Sequence, residues 1–117
     1  MIDLIEKTIA EELSDSLSCE VVFERDGQKP PFVLVEKTGS SRVNFLESST
    51  FAFQSYGRTM LEAIELNEEV KEAVFDLIRV PTISASKLSR DYNFTDTTTE
   101  EYRYQAIFDI YYMKGEA

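Results

Sequence analysis

The stretch VLVEKTGSSRVNFLESSTFAFQSYG, residues 33–57, decides how the sheet of this protein is built. Two runs with the composition and alternation typical of β-strands, residues 33–37 and 50–56, flank a polar segment that starts at Gly39. A tight β-hairpin uses only about two to five linking residues, so the stretch predicts two strands joined by a much longer loop, residues 39–49. The large apolar residues of that loop are Val43, Phe45 and Leu46.

Helical periodicity lies on both sides of this stretch. A capping-box spacing at Asp3, followed by apolar residues three or four positions apart, predicts an amphipathic helix over residues 3–17. A second capping-box spacing at Thr59 opens a helix that reaches residue 79, and Pro81 then ends it. Both helices have one apolar stripe, so each is expected to pack against the sheet with one face only.

Further strands are predicted by apolar residues at every second position. In the first of them, Cys19, Val21 and Phe23 form the apolar face, and a turn over residues 25–31 follows. A loop over residues 90–101, rich in Asp, Asn and Thr, precedes the last strand. The predicted strands cover residues 19–24, 32–38, 50–56, 83–88 and 103–113.

The order helix, three strands, helix, two strands predicts an α+β fold. Its sheet is expected to be mostly antiparallel, with about five strands and both helices on one face. A chain of 117 residues has room for one hydrophobic core, so residues 1–117 are expected to form a single domain.

The composition argues against most enzymatic and binding classes. The chain has no histidine, which removes the commonest general base and zinc ligand, and its single cysteine excludes an internal disulfide. A net charge of −10 disfavours binding to nucleic acid through phosphates. No apolar run is long enough to cross a membrane, and the acidic N-terminus does not resemble a signal peptide, so cytoplasmic synthesis is expected.

The sequence offers no convincing catalytic, cofactor or metal site. Residues 39–42, Gly-Ser-Ser-Arg, are the nearest approach to a phosphate-binding loop, but no Lys-Ser/Thr pair follows them, and a turn is the simpler interpretation. The acidic residues show no spacing typical of a metal-binding loop. We therefore expect a protein that is not an enzyme and that uses no cofactor.

The last strand instead indicates an association surface. Its alternate residues from Tyr104 to Tyr112 are expected to face the helices, whereas Ile107 and Tyr111 lie on the opposite face. Two helices cover only one face of such a sheet, so Ile107, Tyr111 and Val22 would need a partner or would remain an exposed apolar patch. This argument favours a subunit that associates with copies of itself.

Four segments carry a resemblance to a known family: PPFVLVEKTG (30–39), FAFQSYG (51–57), the Thr-x-x-Glu helix start at 59–62, and YNFTDTTTEEYRYQ (92–105). Together they resemble the tail terminators of tailed bacteriophages, also called tail-completion or tail-to-head joining proteins. The order of elements matches over nearly the whole chain. Two departures are Ser40, where a second glycine is common, and the absence of proline between Tyr92 and Tyr102.

The resemblance implies an α+β subunit that assembles as a hexameric ring at the end of the tail tube, stops tube growth and helps to join the tail to the capsid. The implied partners are copies of the protein itself, the tail tube protein and a head-completion or neck protein. DNA would pass through the ring without specific binding, and the subunit would be part of the virion tail after synthesis in the bacterial cytoplasm.

Under this interpretation the loop over residues 39–49 is an arm that contacts the next subunit or the tail tube. The candidate interface residues are Arg42, Val43, Phe45, Leu46, Ile107 and Tyr111. The alternative is that Phe45 and Leu46 fold back on the core of their own subunit. Two other functions remain open: another neck or tail subunit of the same particle, and a cellular adaptor or inhibitor that presents the acidic face of the second helix.

Overall fold

A computed structural model describes residues 4–113 as a five-stranded sheet with two helices packed on one face. This confirms the predicted α+β class and the predicted order of elements. The strands lie in the order β1-β2-β3-β5-β4, and every neighbouring pair is antiparallel except β1 and β2. The elements are α1 (Ile5–Ser16), β1 (Glu20–Val22), β2 (Phe32–Val43), β3 (Leu46–Gly57), α2 (Met60–Phe75), a 3₁₀ turn (Asp76–Arg79), β4 (Ile83–Asn93) and β5 (Tyr102–Met113).

The first strand is shorter than predicted and runs parallel to β2. It keeps only Glu20–Val22 of the predicted residues 19–24, and the following residues turn back to the start of β2. The connection between two parallel strands normally needs about a dozen residues, because the chain must return along the length of the first strand. β1 has only three residues, so a shorter segment reaches the start of β2. Phe23 therefore lies in the return segment and is 46% exposed, so its predicted place on the buried face is wrong.

The long loop predicted over residues 39–49 is also wrong, because both flanking strands continue through it. Val43 pairs with Leu46, and the turn between the strands consists of Asn44 and Phe45 alone. Asn44 has a φ of 59°, a conformation that asparagine tolerates better than most residues. Gly39 does not end β2 but follows a register shift in it. The ladder of backbone hydrogen bonds to β3 outweighs the low strand propensity of Gly and Ser.

The second hairpin is likewise longer than predicted. β4 extends to Asn93 instead of ending at residue 88, since the twelve-residue β5 supplies partners along its length. The loop predicted over residues 90–101 shrinks to residues 94–101. Two register shifts in β4 mark irregularities that bend this edge strand.

The main core lies between the helices and one face of the sheet. α1 contributes Ile5, Ile9 and Leu13, as its predicted stripe requires. The predicted alternation of β5 is confirmed, since Ala106, Phe108 and Ile110 are buried. The spacing of apolar residues in α2 predicts a stripe that includes Ile78 and omits Leu66, and this is partly wrong because Ile78 is exposed and Leu66 is buried. The buried residues of α2 are Ala63, Leu66, Asn67, Val70 and Val74.

The helix starts differ in how they are capped. The predicted cap Asp3 lies outside the described residues, and the residue before α1 is Leu4, which makes no side-chain cap bond. At α2 the predicted capping residues act as expected: the Thr59 hydroxyl accepts a hydrogen bond from the Glu62 N–H. Glu62 in turn accepts hydrogen bonds from the backbone and side chain of Arg58, and these hold the pKa of Glu62 at about 2.

We predict that this carboxylate makes folding sensitive to acid. The pKa of Glu62 is lowered from 4.5 to about 2 on folding, so the stabilisation from its ionised form is present above pH 4.5 and is lost as the pH falls towards 2. Glu62→Gln should unfold at a lower urea concentration than the wild type at neutral pH, and the difference should disappear near pH 2. Glu65→Gln is the control, since Glu65 lies exposed on the same helix. A difference that stays constant with pH would contradict the prediction.

Candidate self-association surface

The turn between β2 and β3 presents apolar side chains to solvent. In this hairpin tip, defined as residues 42–46, Phe45 is 79% exposed and Val43 is 70% exposed, so neither folds back on the core. Arg42 forms an ion pair with Glu47 at the base of the tip. The hairpin tip is therefore a projecting apolar knob on a rigid two-stranded base.

The register of the sheet extends this knob into a row. Val43 of β2 lies opposite Leu46 of β3, and Leu46 lies opposite Met113 of β5. Paired residues point to the same face of a sheet, so the three side chains form one apolar row on the face without helices. Met113, which is 50% exposed, belongs to this surface although the sequence pattern did not mark it.

Ile107 and Tyr111 lie on the same helix-free face, as predicted, but they are set among polar side chains. Ile107 lies opposite Ala52 of β3. Asp109, which lies between Ile107 and Tyr111 on this face, accepts a hydrogen bond of 2.7 Å from the hydroxyl of Thr50. Both Ile107 and Tyr111 are half-buried. The face is therefore mixed in character, and its apolar area is smaller than the alternation of β5 indicated.

The far end of the helix-free face has a small core of its own. The rings of Phe32 and Tyr56 stack at 4.4 Å, and the guanidinium of Arg25 lies 5.0 and 4.9 Å from their centroids. Leu34 and Val22 complete this cluster. Val22, for which the sequence predicted a partner or an exposed patch, thus packs within its own subunit.

Three cations on β4 and β5 also lie on the helix-free face. Lys87 lies over the ring of Tyr111, Arg90 over Tyr92, and Arg103 over Phe94. Within residues 4–113, none of these three cations forms an ion pair with a carboxylate. This part of the face is therefore a basic and aromatic patch on an otherwise acidic protein.

The outer surface of α1 and α2, which we call the helical layer, carries the opposite charge. Some of its carboxylates are paired, as Glu12 is with Arg79 and Glu68 with Lys71. Others have no cation within ion-pair distance in the part of the chain that the structure describes. Those on α2 are Glu65, Glu69 and Glu72, all exposed.

An apolar groove separates α1 from the edge of β2. This α1 groove has a volume of about 490 Å³, and its apolar lining consists of Leu4, Ala10, Phe23 and Val35. The exposure of Leu4 and Phe23, at 55% and 46%, follows from their position in the groove wall. The sequence did not predict the groove, because Phe23 was assigned to the core.

Among residues 4–113, no strand lies next to the edge of β2 that borders this groove. β1 pairs only with Phe32–Leu34, so residues 35–43 have one side of their backbone free. An unpaired strand edge offers hydrogen bonds to another chain. The residues 39–42 that were considered as an anion-binding turn are part of this extended edge and form no loop.

Other candidate sites are not supported by the arrangement of the described residues. Among residues 4–113, no three His, Cys, Asp or Glu side chains come together as a metal site would need. Cys19 is half-buried against the core; burial, with the charges of Glu69 and Glu62, raises the pKa of its thiol. No helix within the described range has the length and apolar character that a membrane crossing requires.

Comparison with protein-family models gave no match to this chain, and comparison with curated proteins gave none either.

Proposed function

We propose that this protein is a tail terminator subunit of a tailed bacteriophage, which assembles as a ring at the end of the tail tube, stops tube growth and helps to join the tail to the capsid. The proposal combines the resemblance of the four sequence segments with one structural observation. That observation is the projecting hairpin tip, whose side chains Val43 and Phe45 are exposed, with no cover from the part of the chain that the structure describes.

The hairpin tip and the α1 groove both present apolar side chains, but they are too far apart to meet within one subunit. The groove borders β2 near Glu36, and Asn44 lies eight residues further along the strand, a distance of about 26 Å at 3.3 Å per residue. A projection that fits a receptor on another copy makes a heterologous contact, and such contacts close into rings when the rotation allows.

The small size of the tip fits a ring that forms only where it is needed. A stable interface buries roughly 800 Å² on each partner, which is more than five residues of a hairpin supply alone. Assembly would then depend on additional contacts with the tail tube, and the free subunit would remain largely monomeric. A tube subunit, by contrast, would polymerise without such a trigger.

The acidic helical layer favours a second function, a cellular adaptor or inhibitor that binds a basic partner. Glu65, Glu69 and Glu72 are exposed and form no ion pair within the described chain. In that function the three carboxylates would be essential and the hairpin tip would be dispensable. The two functions therefore predict opposite results for substitutions at the hairpin tip.

The proposed function is tested by electron microscopy of particles from a phage that lacks this protein. Overlong tails, or heads and tails that fail to join, are the expected result. Expression of the protein from a plasmid should restore normal particles. Normal tails joined to capsids in the absence of the protein would overturn the proposal.

A further inference from the structure

We propose that the basic and aromatic patch on the helix-free face binds the acidic helical layer of a second copy of this chain. The patch consists of Lys87, Arg90 and Arg103 with the rings beneath them. This inference rests on the proposed function, because it names the two surfaces through which neighbouring subunits of the ring meet.

Charge complementarity is the first argument. The unpaired cations of β4 and β5 lie on the face without helices, and the unpaired carboxylates of α2 lie on the opposite side of the molecule. The basic patch on one side and the acidic helical layer on the other are complementary in charge, which favours a face-to-back arrangement of two copies. Such an arrangement is heterologous, as a ring requires.

The second argument is that this contact also includes the hairpin tip. Val43 and Leu46 point to the same face as Lys87 and Arg90, since they belong to rows of one sheet. The α1 groove opens beside α1, which is part of the helical layer. A face-to-back contact thus has the patch and the tip on one copy and the carboxylates and the α1 groove on the next.

The available area is sufficient for such a contact. The molecule measures 44 Å by 24 Å by 22 Å, so its broad faces offer about 1,000 Å² each, against the roughly 800 Å² per partner of a standard interface. The patch alone is a small part of this area. The half-buried Ile107 and Tyr111 and the exposed Met113 lie on the same face and add apolar surface.

A nucleic acid is the less suitable occupant of the patch. A second copy carries its carboxylates at fixed positions on a helix, where consecutive turns of α2 place Glu65, Glu69 and Glu72 along one side. The surface therefore favours an acidic helix over a flexible phosphate chain.

The test is a charge swap measured by sedimentation equilibrium at low salt, with protein up to millimolar concentration. Lys87→Glu with Arg90→Glu should weaken self-association by at least about tenfold, and Glu65→Lys with Glu69→Lys should do the same. The chain with all four substitutions has the wild-type net charge and should recover most of the affinity. The single variant Lys87→Glu is compared with Lys29→Glu, which makes the same change of net charge in the segment between β1 and β2 and should leave self-association unchanged.

Each outcome decides the inference. Recovery in the four-substitution chain supports a direct contact, because a variant damaged in folding would not regain affinity. Failure to recover, or a wild type that does not associate at any concentration, overturns it. Binding of a single-stranded oligonucleotide that is lost in Lys87→Glu with Arg90→Glu, without any change in self-association, would assign the patch to nucleic acid. The tail phenotype of particles lacking the protein judges the proposed function separately.

Discussion

Replacing Val43 and Phe45 together by serine is expected to leave the protein folded and to abolish its assembly at tail ends. Both side chains lie at the hairpin tip, with 70% and 79% of their surface exposed, so their loss removes nothing from either core cluster. The turn also keeps Asn44, whose φ of 59° fixes its geometry. The free energy of unfolding should therefore stay within about 0.5 kcal/mol of the wild-type value.

The effect on assembly should be much larger. Full burial of a Val or Phe side chain stabilises a contact by about 1.5–3 kcal/mol, so losing both weakens each interface by about 4 kcal/mol. That is close to a thousand-fold in affinity at every subunit contact. Because a ring closes only when all its contacts form, the defect should appear as a complete loss of rings at the tube end.

Complementation of the phage that lacks the protein measures this effect directly. The serine variant should fail to restore normal tails, although urea denaturation shows that it is folded. Val43→Ile with Phe45→Leu is the matched control, since it keeps an apolar tip of similar size and should restore tail assembly. Normal tails with the serine variant would show that the tip has no part in assembly.

The sequence predicted the fold class because the helix stripes and the alternation of β5 report the main core directly. It failed at the hairpin for a physical reason. Residues 39–43 lie on a strand edge that none of the described helices or strands covers, so both faces of the backbone carry exposed side chains and no alternation develops. Strand pairing with β3, a contact between segments, holds Gly39 and Ser40 in the sheet. The pattern of neighbouring residues in the sequence does not report that pairing between two strands.

The candidate surface was only partly predictable for a related reason. Val43, Phe45 and Leu46 are adjacent in sequence, and their apolar character in a polar context marked them. Met113 joins them only through the register of β3 with β5. The basic patch likewise combines residues of two strands with aromatic rings beneath them, and each cation taken alone is an ordinary surface residue. Register, which depends on the whole sheet, creates both features.

Gly57→Ala is expected to cause the largest loss of stability among single small substitutions. Gly57 ends β3, and the chain then turns into α2 so tightly that a Cβ at this position would press on the backbone nitrogen of Ala63. It would also lie 2.9 Å from the Cα of Ala63 and from the carbonyl carbon of Glu62. These are backbone atoms of the first turn of α2, so the strain cannot be relieved by a side-chain rotation.

The whole start of α2 must therefore move if a methyl group is added. The Ala63 N–H donates a hydrogen bond to the Thr59 carbonyl in that turn, and Ala63 itself is fully buried, so a shift disturbs both the helix start and the core. Overpacking of this kind costs about 1–3 kcal/mol, and we expect a value near 3.

Gly39→Ala is the matched control, because a Cβ at Gly39 meets no atom within 4 Å and alanine is the better residue within a strand. Urea denaturation should give Gly57→Ala a clearly lower midpoint than the wild type and Gly39→Ala an equal or slightly higher one. Equal midpoints for the two variants would mean that β3 and α2 are not held as closely as the structure places them. The same glycine ends the FAFQSYG segment, so its role in this fold is to let a strand meet a helix at backbone distance.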